Sequence, residues 1–400
     1  MIMQDNEKKP ALRFKGFTDP WEQRKLGEVF EEYSEKNRAE LPPLTIIQGG
    51  GTIRRDESER ALQYDKSSLS NYKMVNKDDF IVHLRSFEGG LEKASSQGII
   101  SPAYHTFHGE DVDSRFYYAY FRSKNFINKD LKPHVYGIRD GRSIDIEGMK
   151  TIRIPWASYP EQKSIGDFLT HLDTLITLHQ RKYERLVNIK KSMLDKMFPQ
   201  NGASMPEIRF KSFTDPWEQR KLDELGTIVT GSTPSTTNDA YYADDGLLWV
   251  TPTDITKNIT CESARKLSAS GQKVARVVPR NTILVTCIAS IGKNTMLANA
   301  GSFNQQINGL TPDENKYVPY FLLTESVLWS AKMKVLAATG TLQIINRTEF
   351  SEIKTFLPSF DEQKRISQYF EKLDTLITLH QRKLEKLQNI KKSCLEKMFV

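Results

Sequence analysis

Two long stretches of the chain place apolar residues at alternating steps of three and four, the pattern of an α-helix with one apolar seam. Each stretch begins with a Ser-x-x-Glu sequence, Ser158 to Glu161 and Ser359 to Glu362. In a capping box of this kind the Ser oxygen accepts a free backbone N–H and the Glu reaches back to the first residue. We therefore predict two helices of about 40 residues each, at 158–200 and 358–400.

The apolar seam continues along both predicted helices. A helix this long and this charged needs a partner, and we expect the other copy to supply it in an antiparallel coiled coil, with the two bodies at opposite ends. His179 and His380 interrupt the seam, either as polar residues that set the register or, alternatively, as a zinc pair. The seam positions are Phe168, Leu172, Leu175, His179, Leu186, Ile189 and Met193 in the first helix, and Tyr369, Leu373, Leu376, His380, Leu387, Ile390 and Cys394 in the second.

The segments outside these helices, 10–157 and 206–357, have the character of mixed α/β domains. Short β-rich runs alternate there with loops of Gly, Ser and Asn. The predicted fold class is thus α+β, with two mixed α/β domains joined by two long helices. The clearest β-rich runs are Thr45–Gln48, Phe80–His83, Thr151–Ile154 and Thr282–Thr286.

The chain is a tandem duplication of a frame around two different interiors. Residues 10–29 and 206–225 are identical at fifteen of twenty positions, and 172–182 repeats as 373–383 without change. No extended match links the interiors, about 30–155 and 226–356. A shared scaffold that reads two different targets needs this arrangement. Drift after duplication is the alternative, although drift should erode the frame as well.

Composition narrows the class of protein. Lys and Arg total 57 against 50 Asp and Glu, and the net charge of +7 fits a nucleic-acid partner. The three cysteines lie far apart without a Cys-x-x-Cys pair, which argues against a disulfide framework or a structural zinc site. No apolar run reaches the ~18 residues of a membrane span, and residues 1–10 lack the apolar core of a signal peptide. We expect a reduced, cytoplasmic protein without a metal or a membrane partner.

Candidate DNA contacts lie in the loops of both bodies, because recognition residues usually reside on loops held by a rigid scaffold. Arginines beside glycines in the first body can clamp a phosphate or bind guanine with two hydrogen bonds. The loops of the second body carry hydroxyls and amides, and the amides of Asn and Gln suit adenine edges. For each residue, a solvated surface loop is the alternative. The candidates are Arg54, Arg55, Arg85, Arg139 and Arg142 in the first body, and Ser232, Thr233, Lys293, Asn304, Gln305 and Gln306 in the second.

The sequence lacks the motifs of the enzymes that act on DNA. The one Pro-Pro pair, in 41–44, has no amide or carboxylate before it to hold a flipped adenine. The nearest match to a phosphate-binding loop, 287–294, has Cys287 in place of the first Gly and Asn294 in place of the hydroxyl for Mg²⁺. In 312–316 the nuclease fragments Pro-Asp and Glu-x-Lys are too close to share a metal. We predict no catalytic residues.

The order of body, capped helix, body and second capped helix resembles the specificity subunits of type I restriction–modification enzymes over nearly the whole chain. The repeated Phe-Thr-Asp-Pro-Trp-Glu-Gln-Arg-Lys-Leu segment is similar to the family's lead-in to each target recognition domain. Further similar segments are 231–234 (Gly-Ser-Thr-Pro), 248–251 (Leu-Trp-Val-Thr), 304–308 (Asn-Gln-Gln-Ile-Asn), 353–358 and 361–364 (Asp-Glu-Gln-Lys).

The resemblance implies two target recognition domains, each reading one half of a bipartite double-stranded DNA site. It also implies that the helices dock two methylation subunits, that restriction subunits join this core, and that S-adenosylmethionine, ATP and Mg²⁺ belong to those partners. The chain itself would hold no cofactor and would not be an enzyme. Two other interpretations stay open: a structural adaptor with two protein-binding heads that never read DNA, and a nuclease or methyltransferase with atypical motifs.

Overall fold

A computed structural model describes residues 9–58, 66–83, 85–137, 143–200, 202–339 and 344–399. The chain divides into two compact units. Unit 1 comprises Met1–Gln180 and Gln381–Val400, and unit 2 comprises Arg181–His380. Each unit therefore contains part of both long helices.

The first segment of unit 1 consists of short strands and short helices and leads into the first long helix, and the second segment is the end of the other long helix. A π-helical stretch, Phe126–Leu131, and 3₁₀ turns at Arg55–Glu57, Lys66–Asn71 and Lys132–His134 lie between the strands. The strands are β1 (Glu22–Lys25), β2 (Glu31–Tyr33), β3 (Leu44–Ile47), β4 (Gly51–Arg54), β5 (Lys73–Val75), β6 (Phe80–Val82), β7 (Glu92–Lys93), β8 (Gly98–Ile100), β9 (His105–His108), β10 (Val135–Tyr136), β11 (Ser143–Ile144) and β12 (Arg153–Trp156). The helices are α1 (Leu26–Val29), α2 (Ser86–Gly89), α3 (Ser114–Phe121), α4 (Ile146–Lys150) and α5 (Tyr159–Met197), whose residues after Gln180 belong to unit 2.

The sheets of unit 1 are small. Four strands form one sheet in the order β2-β9-β6-β7, and antiparallel pairs are formed by β1 with β12, β3 with β4, β5 with β8 and β10 with β11. Aromatic side chains of α3 fill the core against β6. Phe116 and Tyr117 are fully buried there, and their rings lie edge to face at a centroid distance of 4.9 Å, a favourable aromatic geometry.

Unit 2 has longer strands and a longer central helix than unit 1. Its 3₁₀ turns are Leu222–Glu224 and Asp239–Tyr241. The strands are β13 (Glu218–Lys221), β14 (Gly226–Thr230), β15 (Tyr242–Val250), β16 (Ile259–Thr260), β17 (Arg265–Leu267), β18 (Ile283–Thr286), β19 (Asn294–Leu297), β20 (Gly301–Phe303), β21 (Ile307–Pro312) and β22 (Lys354–Leu357). The helices are α6 (Ala269–Val274), α7 (Pro319–Thr339), α8 (Arg347–Ser351) and α9 (Phe360–Met398), whose residues after His380 belong to unit 1.

A five-stranded sheet organises unit 2, in the order β14-β21-β18-β19-β16. A second sheet has the order β17-β15-β20, and β13 pairs with β22. Helix α7 contributes Phe321, Trp329 and Met333 to the main core, which also holds Phe198, the residue directly after α5. The four strands predicted from β-rich runs correspond to β3, β6, β12 and β18, with shifts of one or two residues at their ends.

The repeated frame has the same strand pairing in both units. The segment Glu-Gln-Arg-Lys forms β1 in unit 1 and β13 in unit 2. Each pairs antiparallel with the strand that precedes a long helix, so that Glu22 lies opposite Trp156 and Glu218 lies opposite Leu357. The entry motif and the exit to the helix are therefore neighbours, although about 130 residues separate them in the sequence.

A buried ion pair closes each frame. Arg13 donates two hydrogen bonds to the carboxylate of Glu161, of 2.8 and 2.7 Å. Arg209 donates two of 2.7 Å to Glu362. Both carboxylates are buried, and a buried charge requires such a partner. Sequence reasoning assigned these glutamates to capping boxes, but their carboxylates bind the arginines of the entry motif.

The glutamine that follows each of these glutamates links the frame to the interior. The side chain of Gln162 accepts a hydrogen bond from the N–H of Asp113 and donates one to the carbonyl of Ala157. Gln363 forms the same pair of bonds, with the N–H of Val318 and the carbonyl of Pro358. Asp113 and Val318 precede α3 and α7, so the frame fixes the start of the central helix in each unit.

The two long helices pack antiparallel within each unit, and both have 39 residues. In unit 1 the salt bridge from Lys391 to Asp173 joins the beginning of α5 to the end of α9, and in unit 2 Lys190 binds Asp374 with the roles of the helices exchanged. Of the predicted seam, Leu172 and Leu373 are buried. Leu175, Leu186, Leu376 and Leu387 are half-buried. The predicted fold class is confirmed.

The ends of the helices complete the two cores in a reciprocal manner. Met398 and Phe399 lie in the core of unit 1, where the ring of Phe399 is 5.2 Å from that of Phe116. Phe198 lies in the core of unit 2, and its ring is 5.6 Å from that of Phe321. The core of each unit thus contains residues from both halves of the sequence.

Candidate nucleic-acid interface

Two loops of unit 2 meet where β14 ends and β21 begins. Gly231 passes so close to the second loop that a Cβ atom would lie 2.1 Å from the carbonyl oxygen of Asn304, so a side chain is excluded there. The hydroxyl of Thr233 donates to the side-chain oxygen of Gln305, and the backbone N–H of Ser232 donates to the carbonyl of Phe303 at 2.8 Å. The predicted residues of these loops therefore form one surface.

Two further loops join this surface. The N–H of Asn304 donates to the carbonyl of Val250, and the N–H of Cys287 donates to the carbonyl of Gln306. Val250 ends β15, and Cys287 begins the turn that carries Lys293. The ammonium of Lys293 donates to the carbonyl of Pro252 at 3.3 Å, which brings the predicted lysine to the loop after β15. Burial raises the pKa of the Cys287 thiol to about 12, which leaves it protonated and unreactive.

Sequence reasoning missed Arg276 as a member of this surface. Its backbone N–H donates to the hydroxyl of Ser232, and its guanidinium donates to the carbonyl of Thr230. Lys273 lies in the last turn of α6, and Arg276 and Arg280 follow between α6 and β18, so this stretch is basic. The three closely spaced basic residues at 273, 276 and 280 are the feature of the sequence that could have identified this part of the surface.

In unit 1 the glycines at 49–51 form the tip of the β3–β4 hairpin. Gly49 and Gly51 have φ of +82° and +75°, a conformation that favours glycine. The buried carboxylate of Glu92 accepts the N–H of Gly49 at 2.6 Å and that of Gly51 at 3.1 Å. It also accepts the hydroxyl of Tyr118 and binds the guanidinium of Arg122. Glu92 thus fixes the hairpin tip from within, which the sequence did not reveal.

The arginines predicted in this region have different surroundings. Arg54 is exposed and binds Asp56 through two hydrogen bonds of 3.1 and 2.8 Å. Because exposed ion pairs contribute only about 0–1 kcal/mol, a phosphate can replace Asp56. The guanidinium of Arg55 lies 5.3 Å from the ring centre of Tyr72, and Arg85 is exposed at the start of α2. Arg139 and Arg142 lie outside the described residues.

An aromatic group near Arg85 was also missed. The backbone N–H of Arg85 donates to the ring nitrogen Nδ1 of His83. The centre of this imidazole ring lies 6.2 Å from that of the Tyr104 ring. Burial lowers the pKa of His83, so the imidazole is neutral at pH 7. Aromatic side chains beside arginines are typical of surfaces that contact nucleic acids.

Chemically, the two surfaces offer hydrogen-bond donors, acceptors and cations. Among the residues that the structure describes, no group of three or more His, Cys, Asp or Glu side chains is placed to hold a metal ion. The helices within the described ranges are all too short or too polar to cross a membrane. The arrangement suits binding to a polyanion with some base readout.

The chain belongs to the family described as the type I restriction modification DNA specificity domain, whose model matches residues 18–188 and 214–389. Each repeat therefore carries one copy of the family domain. This membership confirms the resemblance stated from the sequence. It does not favour the alternative of an adaptor that never reads DNA.

The chain is similar to several curated specificity subunits. It is 25% identical over 258 residues to the type I restriction enzyme HindI specificity subunit of Haemophilus influenzae, in a match that covers 62% of this chain and 53% of that protein. It is 21% identical over 397 residues to the putative type I restriction enzyme MjaX specificity subunit of Methanocaldococcus jannaschii, covering 94% and 91%. The chain thus spans about half the length of the Haemophilus relative and most of the Methanocaldococcus one.

Solved structures support the fold. The S subunit of a type I restriction–modification system from M. genitalium superposes with a TM-score of 0.65 and 14% identity, covering 98% of this chain and 99% of that one. A chain from a structural study of complex assembly in the type I R-M system has a TM-score of 0.52 and 16% identity, covering 96% and 99%. At these identities the likeness concerns the fold alone.

Proposed function

We propose that the chain is the DNA-recognition subunit of a type I restriction–modification complex, in which units 1 and 2 each read one half of a bipartite double-stranded site. One observation carries the proposal: two copies of the same frame, closed by Arg13–Glu161 and Arg209–Glu362, hold two unrelated sets of loops. Two closely similar supports with different loops suit two different half-sites.

The reading residues of unit 2 are the clustered hydroxyls and amides, with Lys293 on phosphate. The reading residues of unit 1 include Arg54, Arg55 and Arg85. The sequence adds Arg139 and Arg142 as further candidates. Amide side chains can pair with an adenine edge and arginines with guanine, and each good pair contributes about 1–3 kcal/mol of discrimination. The residues of unit 2 in this role are Ser232, Thr233, Asn304, Gln305 and Gln306.

The partners supply the chemistry in this proposal. Two methylation subunits dock on α5 and α9, restriction subunits join them, and S-adenosylmethionine, ATP and Mg²⁺ bind to those subunits. The chain itself has no catalytic role and acts in the cytoplasm. The purified chain alone should therefore show no methylation, nuclease or ATPase activity.

An exchange of interiors tests the proposal. Residues 30–155 are replaced by the corresponding segment of a related subunit, with the frame residues Arg13, Trp21 and Glu161 retained. Bound sites are selected from a random DNA library with the full-length chain, alone and assembled with methylation subunits. We expect one half-site to change and the other to stay. The matched exchange of residues 226–356 should change the other half-site. A change in both half-sites or in neither contradicts the two-reader model.

A further inference from the structure

Asp374 on α9 is the centre of a hydrogen-bond network within unit 2. One carboxylate oxygen accepts from the ammonium of Lys190 on α5 at 2.6 Å. The other accepts from the hydroxyl of Tyr320 on α7 at 2.9 Å and from the side-chain amide of Asn258 at 2.8 Å. Burial and the Asp374 carboxylate raise the pKa of Tyr320, so the phenol keeps its proton and donates. Three helices and one loop thus meet at a single carboxylate.

Asn258 ends the loop that follows β15 and precedes the edge strand β16. Its carbonyl accepts the N–H of Met296 at 2.9 Å, which fixes this end of the loop to β19. At the other end, Pro252 accepts the ammonium of Lys293. Between them, the carboxylate of Asp254 accepts the N–H of Thr251 at 2.8 Å. The segment Thr251–Asn258 therefore runs from the candidate DNA surface of unit 2 to the helices.

The equivalent residue of unit 1 lacks this connection. Asp173 occupies the same position as Asp374 in the eleven-residue sequence that both long helices share, and it binds Lys391 at 2.5 Å. No other hydrogen bond of its side chain is found among the residues that the structure describes, and the side chain is 53% exposed, against 18% for Asp374. The same aspartate thus joins two helices in unit 1, and in unit 2 it also holds a loop.

We infer that Asp374 is a positioning residue for DNA readout by unit 2, acting through Asn258 on the segment Thr251–Asn258. This segment follows Val250, whose carbonyl accepts the N–H of Asn304 in the loop of reading amides. This inference rests on the proposed function. A loop held at both ends loses less conformational freedom when it binds. Release of the Asn258 end should therefore weaken discrimination by unit 2 and leave unit 1 unaffected.

Three variants and one rescue test the inference. Asn258→Ala removes the amide, and Asp374→Ala removes the carboxylate. Asp173→Ala is the matched control in unit 1. The double variant Asn258→Asp/Asp374→Asn exchanges the donor and the acceptor and restores the bond. Each full-length chain, alone and assembled with methylation subunits, is used to select bound sites from a random DNA library. The exchange of interiors identifies which half-site unit 2 reads.

We expect Asn258→Ala and Asp374→Ala to lower discrimination at the half-site of unit 2 by about tenfold, the size expected for one hydrogen bond to a charged group. Affinity for random DNA and its salt dependence should stay unchanged, the rescue should restore discrimination, and Asp173→Ala should have no effect. Asn258 is exposed, so its variant tests the inference even if Asp374→Ala fails to fold.

Equal losses at both half-sites, an unchanged preference in Asn258→Ala, or a failed rescue would overturn the role of Asp374. A wild-type chain that selects no bipartite site would instead overturn the proposed function, so the two failures are distinguishable.

Discussion

The two frames of this protein have nearly the same sequence but different hydrogen bonding around the same buried glutamate. In unit 1 the carboxylate of Glu161 accepts hydrogen bonds from Arg13 and from the indole N–H of Trp21, at 2.9 Å. In unit 2, Glu362 is bound by Arg209, but the indole N–H of Trp217 is buried without a hydrogen-bond partner among the described residues. An identical motif therefore fixes the backbone, and the contents of each core decide the remaining contacts.

The largest expected effect comes from removal of the frame arginines. Arg209→Met leaves the buried Glu362 without its cation, and we expect the free energy of unfolding to fall by about 3–5 kcal/mol. Arg13→Met should cost less, because Trp21 still donates to Glu161. Urea unfolding followed by tryptophan fluorescence measures both. Equal losses would mean that the indole bond contributes nothing.

The two units also differ at one position of their central helices. Unit 2 has the buried acid Glu325 there, and unit 1 has the phenol of Tyr120. Tyr120 lies seven residues after Asp113, whose N–H donates to Gln162. Glu325 lies seven residues after Val318, whose N–H donates to the equivalent Gln363. Burial raises the pKa of Glu325 to about 8. One of its oxygens binds Thr355, and the other has no hydrogen-bond partner among the described residues.

This raised pKa predicts a pH dependence. Between about pH 4.5 and pH 8 the folded chain holds a proton on Glu325 that the unfolded chain has released. The stability of unit 2 should therefore be greatest below that window and decline through it. Glu325→Gln should remove this decline, a change on the order of a few kcal/mol in total. Urea unfolding of both proteins from pH 5 to pH 9 gives the difference. Parallel curves would contradict a protonated Glu325.

The tryptophans of the frames test the indole bond directly. Trp21→Phe and Trp217→Phe remove the same volume from buried sites, so the difference between them isolates the bond to Glu161. We expect Trp21→Phe to cost about 1.5–3 kcal/mol more than Trp217→Phe, the value for a hydrogen bond to a charged group. Chemical unfolding followed by circular dichroism provides the measurement. The opposite order would show that packing dominates.

The smallest effects are expected at the lysines that join the helices. The Lys391–Asp173 pair lies at the surface, so Lys391→Ala should cost only about 0–1 kcal/mol. Lys190→Ala should cost more, because its partner Asp374 is mostly buried and shared with two other donors. Thermal unfolding of the two variants side by side distinguishes them. A larger loss for Lys391→Ala would contradict the comparison.

The sequence was sufficient for features that repeat or that follow a period. The helical period predicted α5 and α9, and the repeat predicted two domains in one fold class. It also singled out Glu161 and Glu362, but not their partners, because a capping pattern is local and Arg13 lies 148 residues away. The repetition of Arg13 as Arg209 was visible, yet only the folded chain reveals that each arginine lies beside a buried acid.

The candidate site was less predictable because its contacts join distant loops of dissimilar sequence. The sequence indicates Ser232, Thr233 and Asn304 by their chemistry alone. Their proximity depends on the order of the strands in the sheet, and the sequence of this region, which is not repeated, does not reveal that order. Glu92 was missed because a buried acid that holds a hairpin looks like any other glutamate in the sequence. Whether each chosen residue contacts DNA stays a prediction.

The order of synthesis affects the two cores differently. Unit 2 has all of its residues, 181–380, once the ribosome has passed His380. The core of unit 1 still lacks Met398 and Phe399 at that moment, so Trp21 and Phe116 lack their ring contacts with Phe399 until it has been made. The half that is made first therefore closes last, and we expect a nascent chain stalled before Met398 to expose an incomplete aromatic core to chaperones and proteases.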